Sequence, residues 1–286
     1  MRGCSKVSEG CRNCYAMKQA HRFSGPGMAY DGLTQLVTGK GPQWTGVVCT
    51  VPEVLEVPLR WRKPRRVFVN SMSDLFHEDV PIQFILQVFE VMARCPQHTF
   101  QILTKRPERM AYCLTYPPDR LVCESAEHHR LLCTMPLPNV WLGTSVEDQA
   151  AADERIPHLL RTPAAVRFLS CEPLLGSLDI RQALTYHRRP GEDFGSGGNY
   201  LADLRGVDWI IVGGESGPGA RPCHTAWIRS LVEQCRAAGM AVFVKQLGAR
   251  PISPDGHSFG WSTGQDRKGG DPHEWPNDLR VREFPA

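Results

Sequence analysis

The chain has 286 residues, a net charge of +3 and an apolar fraction of 42%, the make-up of an ordinary globular protein long enough for one α/β barrel or two small domains. No apolar run approaches the ~20 residues of a membrane-spanning helix, and the polar opening is unlike a secretory signal, so neither a membrane protein nor an exported one is expected. Eleven cysteines are present, but the odd count and the many core-like strands exclude a disulfide-stapled mini-fold and point to a reducing cytoplasm.

The first element is a loop. Gly3 to Ala16 reads Gly-Cys-Ser-Lys-Val-Ser-Glu-Gly-Cys-Arg-Asn-Cys-Tyr-Ala, which spaces Cys4, Cys11 and Cys14 as C-x6-C-x2-C. The glycines and polar residues around the thiols read as exposed loop rather than core. A four-iron iron–sulfur cluster usually takes four cysteines, so three leave one iron open to a substrate or cofactor. The loop also reads as a structural zinc site if His21 supplies a fourth ligand, or as small unligated hydrophobes. The cluster is the reading expected here. The other cysteines, at 49, 95, 113, 123, 133, 171, 223 and 235, are scattered and read as core or incidental.

Beyond the loop a rhythm sets in. Apolar runs at Gly46–Thr50, Val67–Asn70, Phe100–Thr104, Val140–Thr144, Val166–Ser170, Trp209–Gly213 and Ala241–Lys245 have the length and continuity of buried parallel strands. Amphipathic stretches lie between them: Pro81–Arg94, Glu147–Arg161 and His224–Ala238, the last stopped by Gly239. Alternating strand and helix implies βαβ units. The fold expected is α/β, a partial or complete TIM-like parallel (β/α) barrel over residues 1–248, with 249–286 as a tail packed on it. Insertions are expected at Tyr116–Asn139 and at His187–Gly206, the second as a loop or lid. In the tail, Trp261, Trp275 and His257 stand in polar surroundings.

The strand ends carry the polar groups: Asn70-Ser71-Met72-Ser73-Asp74, Thr104-Lys105-Arg106-Pro107-Glu108, Thr144-Ser145-Val146-Glu147-Asp148, Ser170-Cys171-Glu172-Pro173, Gly213-Gly214-Glu215-Ser216-Gly217 and Lys245-Gln246-Leu247-Gly248. In a parallel barrel such ends meet at the mouth, where active sites lie. Lys105 and Arg106 suit a carboxylate or phosphate. Glu172 and Lys245 are costly to bury alone and read as ligand contacts or as an internal salt bridge. Asp74, His77 and Glu78 read as substrate contacts or helix caps, and Ser145 and Glu147 as caps of the next helix. The run Arg60-Trp61-Arg62-Lys63-Pro64-Arg65-Arg66 mixes cations with an aromatic, as phosphate-and-stacking surfaces do, or is a solvated loop. No Ser-His-Asp order, Walker loop or paired-histidine zinc helix appears, so hydrolase and kinase readings have no support.

Taken together, Gly3–Ala16, Ser71–Glu78, Leu103–Met110, Leu142–Asp148, Phe168–Gly176, Gly213–Pro222, Val244–Gly248 and the ending Asp271-Pro272-His273-Glu274-Trp275-Pro276-Asn277-Asp278-Leu279-Arg280-Val281-Arg282-Glu283 resemble the phage-derived three-cysteine-motif proteins, a family similar in pattern to radical S-adenosylmethionine enzymes. The resemblance implies a partial parallel barrel and a [4Fe-4S] cluster on Cys4, Cys11 and Cys14. It implies S-adenosylmethionine chelated at the open iron, an external electron donor, and reductive cleavage to a 5′-deoxyadenosyl radical. Tyr15 falls where an aromatic lies near the adenine, and Ser71, Lys105, Thr144, Glu172 and Lys245 fall at the mouth. Gly213-Gly214-Glu215 matches a run that contacts the cofactor's amino group, although it follows a late strand rather than an early one; its glycines would admit a ligand close to the backbone, or simply make a tight turn. A nucleic-acid substrate is the class the resemblance and the basic run suggest; the rival is a zinc-binding, non-enzymatic nucleic-acid-associated module. The family places a strand with Trp-Asn-Pro before the first cysteine. Here Cys4 follows almost at once, so an open sheet edge is expected beside the cysteine loop.

Overall fold

A computed structural model describes residues 1–115, 126–184, 206–257 and 266–285. They fall into two compact units: one holds Met1–Leu142 and Thr162–Ala165, the other Gly143–Arg161 and the described residues from Val166 onward.

The first unit opens with the cysteine loop and α1 (Tyr15–His21), which buries Ala16, Met17 and Ala20. An antiparallel hairpin follows, β1 (Thr34–Val37) with β2 (Gly41–Trp44). Then come β3 (Arg66–Val69), α2 (Ile82–Ala93), β4 (Thr99–Thr104), α3 (Pro107–Leu114), α4 (Ala126–Cys133) and the start of β5 (Val140–Ser145). Pro81 directly precedes α2, where its fixed φ and missing N–H cost nothing. Ile85, Val88, Phe89 and Met92 then recur at helical spacing and are buried.

The second unit holds the end of β5, then α5 (Gln149–Arg161), β6 (Val166–Cys171), α6 (Arg181–Leu184), β7 (Trp209–Gly213), β8 (Cys223–His224), α7 (Thr225–Ala238), β9 (Ala241–Gln246) and β10 (Pro251–Ile252). Ile228, Leu231, Val232 and Cys235 make the buried stripe of α7, and Gly239 ends the helix in the left-handed conformation. The tail packs within this unit: Trp275, Leu279 and Val281 are buried, and the Val244 and Leu247 N–H groups donate to the carbonyls of Val281 and Gly269.

The main sheet is parallel, with strands in the order β3-β4-β5-β6-β7-β9. Each strand joins the one before it, as short βα connections favour. β6 and β7 are buried along almost their whole length, which is why their sequences are unbroken apolar runs.

Six of the seven expected strands are present; Gly46–Thr50 is not one. Only Cys49 of that run is bridged, to Arg2, and Val47 is 52% exposed. A β-branched run with nothing to bury its side chains does not hold a strand by propensity alone. β3 is an edge strand, and its residues alternate between exposed and half-buried. Next to it, Gly3 makes a parallel bridge to Ser73. Gly3 has φ +87°, and a Cβ there would meet the Val47 carbonyl oxygen at 2.2 Å, so the residue before Cys4 must be glycine. The expected loop at 187–205, residues 116–125 of the first insertion, and Trp261 lie outside the described residues.

Candidate metal centre

Cys4 follows Gly3. A single 3-10 turn, Glu9–Cys11, separates it from Cys11, and Cys14 is the residue that enters α1. All three thiols are partly buried. Burial pushes the Cys4 thiol up to about 12; the Asp74 carboxylate adds to this, Arg106 opposes it, and the charges of Cys11 and Cys14 raise it further. Cys14 is also raised, by burial and by Cys11, while the backbone N–H groups of Ala16 and Met17 and the Lys105 ammonium favour its thiolate. The three sulfurs therefore share one electrostatic field, and turning them all to thiolates requires a compensating cation.

The donor set discriminates between metal groups. Among the described residues, no three His, Cys, Asp or Glu side chains converge on one ion position. A single zinc needs its ligand sulfurs about 3.8 Å apart, set by a Zn–S bond of about 2.3 Å. An iron–sulfur cube takes each cysteine on a different iron and so accepts a wider set. His21 stands at the far end of α1, about 10 Å of helix rise from Cys14. Its Nδ1 contacts the hydroxyls of Thr34 at 3.1 Å and Ser24 at 3.2 Å. The three thiols fit a cluster with one open iron better than a closed zinc tetrahedron.

Beneath the loop lies a buried ionic network that reaches across the unit. Arg106 follows β4 and is almost wholly buried. Its Nη1 donates to Asp74 Oδ2 at 3.1 Å, its Nε to both oxygens of Glu78 at 2.8 and 2.9 Å, and its Nη2 to Ser5 Oγ at 2.7 Å. Asp74 also accepts from the backbone N–H groups of Phe76 (3.0 Å) and Lys105 (3.2 Å) and from the Thr104 hydroxyl (2.7 Å). Burial would raise Glu78, but the Arg106 hydrogen bonds and charge outweigh it, and its carboxyl lies below the usual range. His77 is lowered, chiefly by burial and then by the Arg106 charge. Arg106 thus holds carboxylates, as its chemistry suggests, but they belong to the protein itself. Asp74 and Glu78 are its counter-charges.

Tyr15 and Ser71 meet: the Tyr15 hydroxyl donates to the Ser71 carbonyl, and the tyrosine is 63% exposed. Lys105 is half-buried close to Cys14. Ser5 escapes detection in the sequence; its only signal is that it follows Cys4.

In the second unit, Lys245 Nζ donates to Glu172 Oε2 at 3.2 Å, and the Ser170 hydroxyl donates to the same oxygen at 3.4 Å. The salt bridge is the form these two charges take. Thr144 is fully buried in β5. Gly213 and Gly214 serve close packing: a Cβ on Gly213 would meet Glu172 Oε1 at 2.4 Å, and one on Gly214 the Leu247 carbonyl at 2.2 Å. Glu215 is turned to Arg221, accepting from its Nη2 at 2.7 Å, its Nε at 3.0 Å and its backbone N–H at 2.9 Å. That two-pronged ion pair replaces the expected contact to an ammonium or ribose. Ser145 and Glu147 are not caps. Asp148 caps α5 by accepting from Ala151 N–H at 2.9 Å, while Glu147 makes a buried salt bridge to Arg155 at 2.7 Å.

Among the described residues, no helix is long and apolar enough to cross a membrane. No curated protein and no solved structure matches the chain. Residues 1–269, from the cysteine loop through every strand of the main sheet, match one family, and the chain belongs to it: the family described as "Protein of unknown function (DUF5131)".

Proposed function

We propose that this chain is a radical S-adenosylmethionine-like iron–sulfur enzyme that generates a 5′-deoxyadenosyl radical and acts on a nucleic acid. The observation that carries the reading is the sharing of one electrostatic field by Cys4, Cys11 and Cys14 in a loop with no fourth cysteine. A cluster bound there would supply an electron to the sulfonium of S-adenosylmethionine. The chain's own residues have separate parts. Cys4, Cys11 and Cys14 hold the cluster. The exposed ring of Tyr15, next to Cys14, offers a face to the adenine. The Lys105 ammonium near Cys14 suits the cofactor's carboxylate. Arg106, clamped by Asp74 and Glu78, keeps Ser5 and the loop's first residues in place.

Two further features support the reading. Consecutive strands stand side by side across the main sheet, the order a partial (β/α) barrel has. In the first unit, Arg60, Arg62, Lys63, Arg65 and Arg66 are exposed and suit a phosphate backbone. Trp61 is a support rather than a stacking platform, because the Arg65 guanidinium lies over its ring at 4.7 Å and His98 packs against it at 5.6 Å.

The test is anaerobic reconstitution with iron and sulfide, then incubation with dithionite and S-adenosylmethionine. Formation of 5′-deoxyadenosine, lost in Cys4→Ala, Cys11→Ala and Cys14→Ala, supports the reading. Stoichiometric zinc with no 5′-deoxyadenosine overturns it in favour of the zinc module.

A further inference from the structure

We infer that Ser5 donates a hydrogen bond to a sulfur of the group held by Cys4, Cys11 and Cys14, and that Arg106 and His77 lock it in that role. The inference rests on the cluster reading and deepens it.

The argument is an account of protons and lone pairs. A serine hydroxyl has one proton to donate and two lone pairs to accept with. Arg106 Nη2 lies 2.7 Å from Ser5 Oγ, and a guanidinium only donates, so one lone pair is filled. His77 Nε2 lies 2.8 Å from the same oxygen. Which way that bond runs is set at the other side of the ring. The Asp79 backbone N–H donates to His77 Nδ1 at 3.2 Å, so Nδ1 carries no proton. The ring proton is therefore on Nε2, and it fills the second lone pair of Ser5. The hydroxyl proton must point elsewhere, and among the described residues no acceptor takes it.

The two donors are themselves fixed. Arg106 cannot turn away, because Nε grips Glu78 and Nη1 grips Asp74. His77 is buried, with Asp79 N–H on one nitrogen and Ser5 on the other. Ser5 directly follows Cys4, whose Sγ lies 3.4 Å from the Ser5 carbonyl oxygen. The acceptor that this loop offers is negatively charged sulfur, either cysteinate or sulfide. Hydrogen bonds to such sulfurs favour the reduced, more negative cluster and raise its potential. Ser5 is thus a positioning residue, set to make reduction easier.

The test is a redox titration of the reconstituted cluster, followed by electron paramagnetic resonance, in wild type, Ser5→Ala and Ser5→Thr. A charge-assisted hydrogen bond is worth about tenfold in an equilibrium, and tenfold in a one-electron reduction is about 59 mV. The expected result is a full iron and sulfide content in S5A with a midpoint more negative by about that amount, and a wild-type midpoint in S5T, which keeps the hydroxyl. An S5A midpoint equal to wild type overturns the inference and leaves the cluster reading standing. Zinc in place of a cluster in the wild type overturns both. Should S5A assemble no cluster, His77→Phe is titrated instead; it removes the lock but keeps the hydroxyl. A smaller negative shift supports the inference, and no shift overturns it.

Discussion

Replacing Arg106 with methionine tests the network beneath the cysteine loop. The arginine side chain is 6% exposed and that of its partner Asp74 is 9% exposed, with Nη1 and Oδ2 3.1 Å apart. Removing one member of a buried pair leaves the other charge without its counter-ion and costs about 3–5 kcal/mol. Asp74 keeps its bonds from Phe76 N–H, Thr104 Oγ1 and Lys105 N–H, which sets the loss near the lower limit, about 3 kcal/mol. The side chain of Glu78 is 64% exposed, so its lost ion pair adds at most about 1 kcal/mol. The expected total of about 3–4 kcal/mol is a large share of the ~5–15 kcal/mol that holds a protein folded. Urea unfolding measures it, and Arg106→Lys should recover little, because one ammonium cannot serve Asp74, Glu78 and Ser5 together. In a cycle with Asp74→Asn, the double variant should be less destabilised than the sum of the singles, by about 1–3 kcal/mol. An R106M variant within about 0.5 kcal/mol of wild type, or strict additivity in the cycle, refutes the reasoning.

Three further outcomes follow from the same structure. The native pKa of His77 lies below its ordinary value of 6.5, with Ser5, Arg106, Asp74, Glu78 and Asp79 around the ring; the unfolded chain therefore takes up a proton before the native one does. Stability is retained above about 6.5 and falls as pH drops toward the native pKa, and apo His77→Gln should show a shallower loss between pH 7.5 and 5 in urea unfolding. Gly214→Ala drives a Cβ into the Leu247 carbonyl at 2.2 Å and should cost about 1–3 kcal/mol; Gly213→Ala meets the movable Glu172 carboxylate at 2.4 Å and should cost less, the order being read from thermal unfolding. Arg155→Met strands the wholly buried Glu147 and should lower stability by about 3–5 kcal/mol, whereas Arg181→Met, at an exposed pair, should change it by no more than about 1 kcal/mol.

The sheet was legible in the sequence because strands buried on both faces must be apolar throughout. Trp209–Gly213 and Val166–Cys171 are the clearest cases. Gly46–Thr50 has the same residue types but nothing to bury them, and composition does not reveal that. The β1–β2 hairpin went unseen because its strands are half-polar and short. The metal-binding candidates were legible in spacing alone, since Cys4, Cys11 and Cys14 lie close together in the chain. Their surroundings were not. Arg106 meets Asp74 and Ser5 across 32 and 101 positions, and no local pattern encodes such contacts. Glu215 and Arg221 are the opposite case: only six positions apart, and within reach of each other in any tight turn, they form an ion pair that local spacing permits. At the start of α5, three polar residues in succession offered caps, and burial decided among them. Ser145 and Glu147 turned inward, which left Asp148 to meet the first free N–H groups.

The central claim is that the three thiols hold a cluster with one iron open to S-adenosylmethionine. Electron paramagnetic resonance of the anaerobically reconstituted, dithionite-reduced protein tests it most directly. The account predicts a reduced four-iron signal that changes shape when S-adenosylmethionine is added and is absent from the Cys11→Ala variant. A protein that binds one zinc per chain and shows no such signal contradicts it.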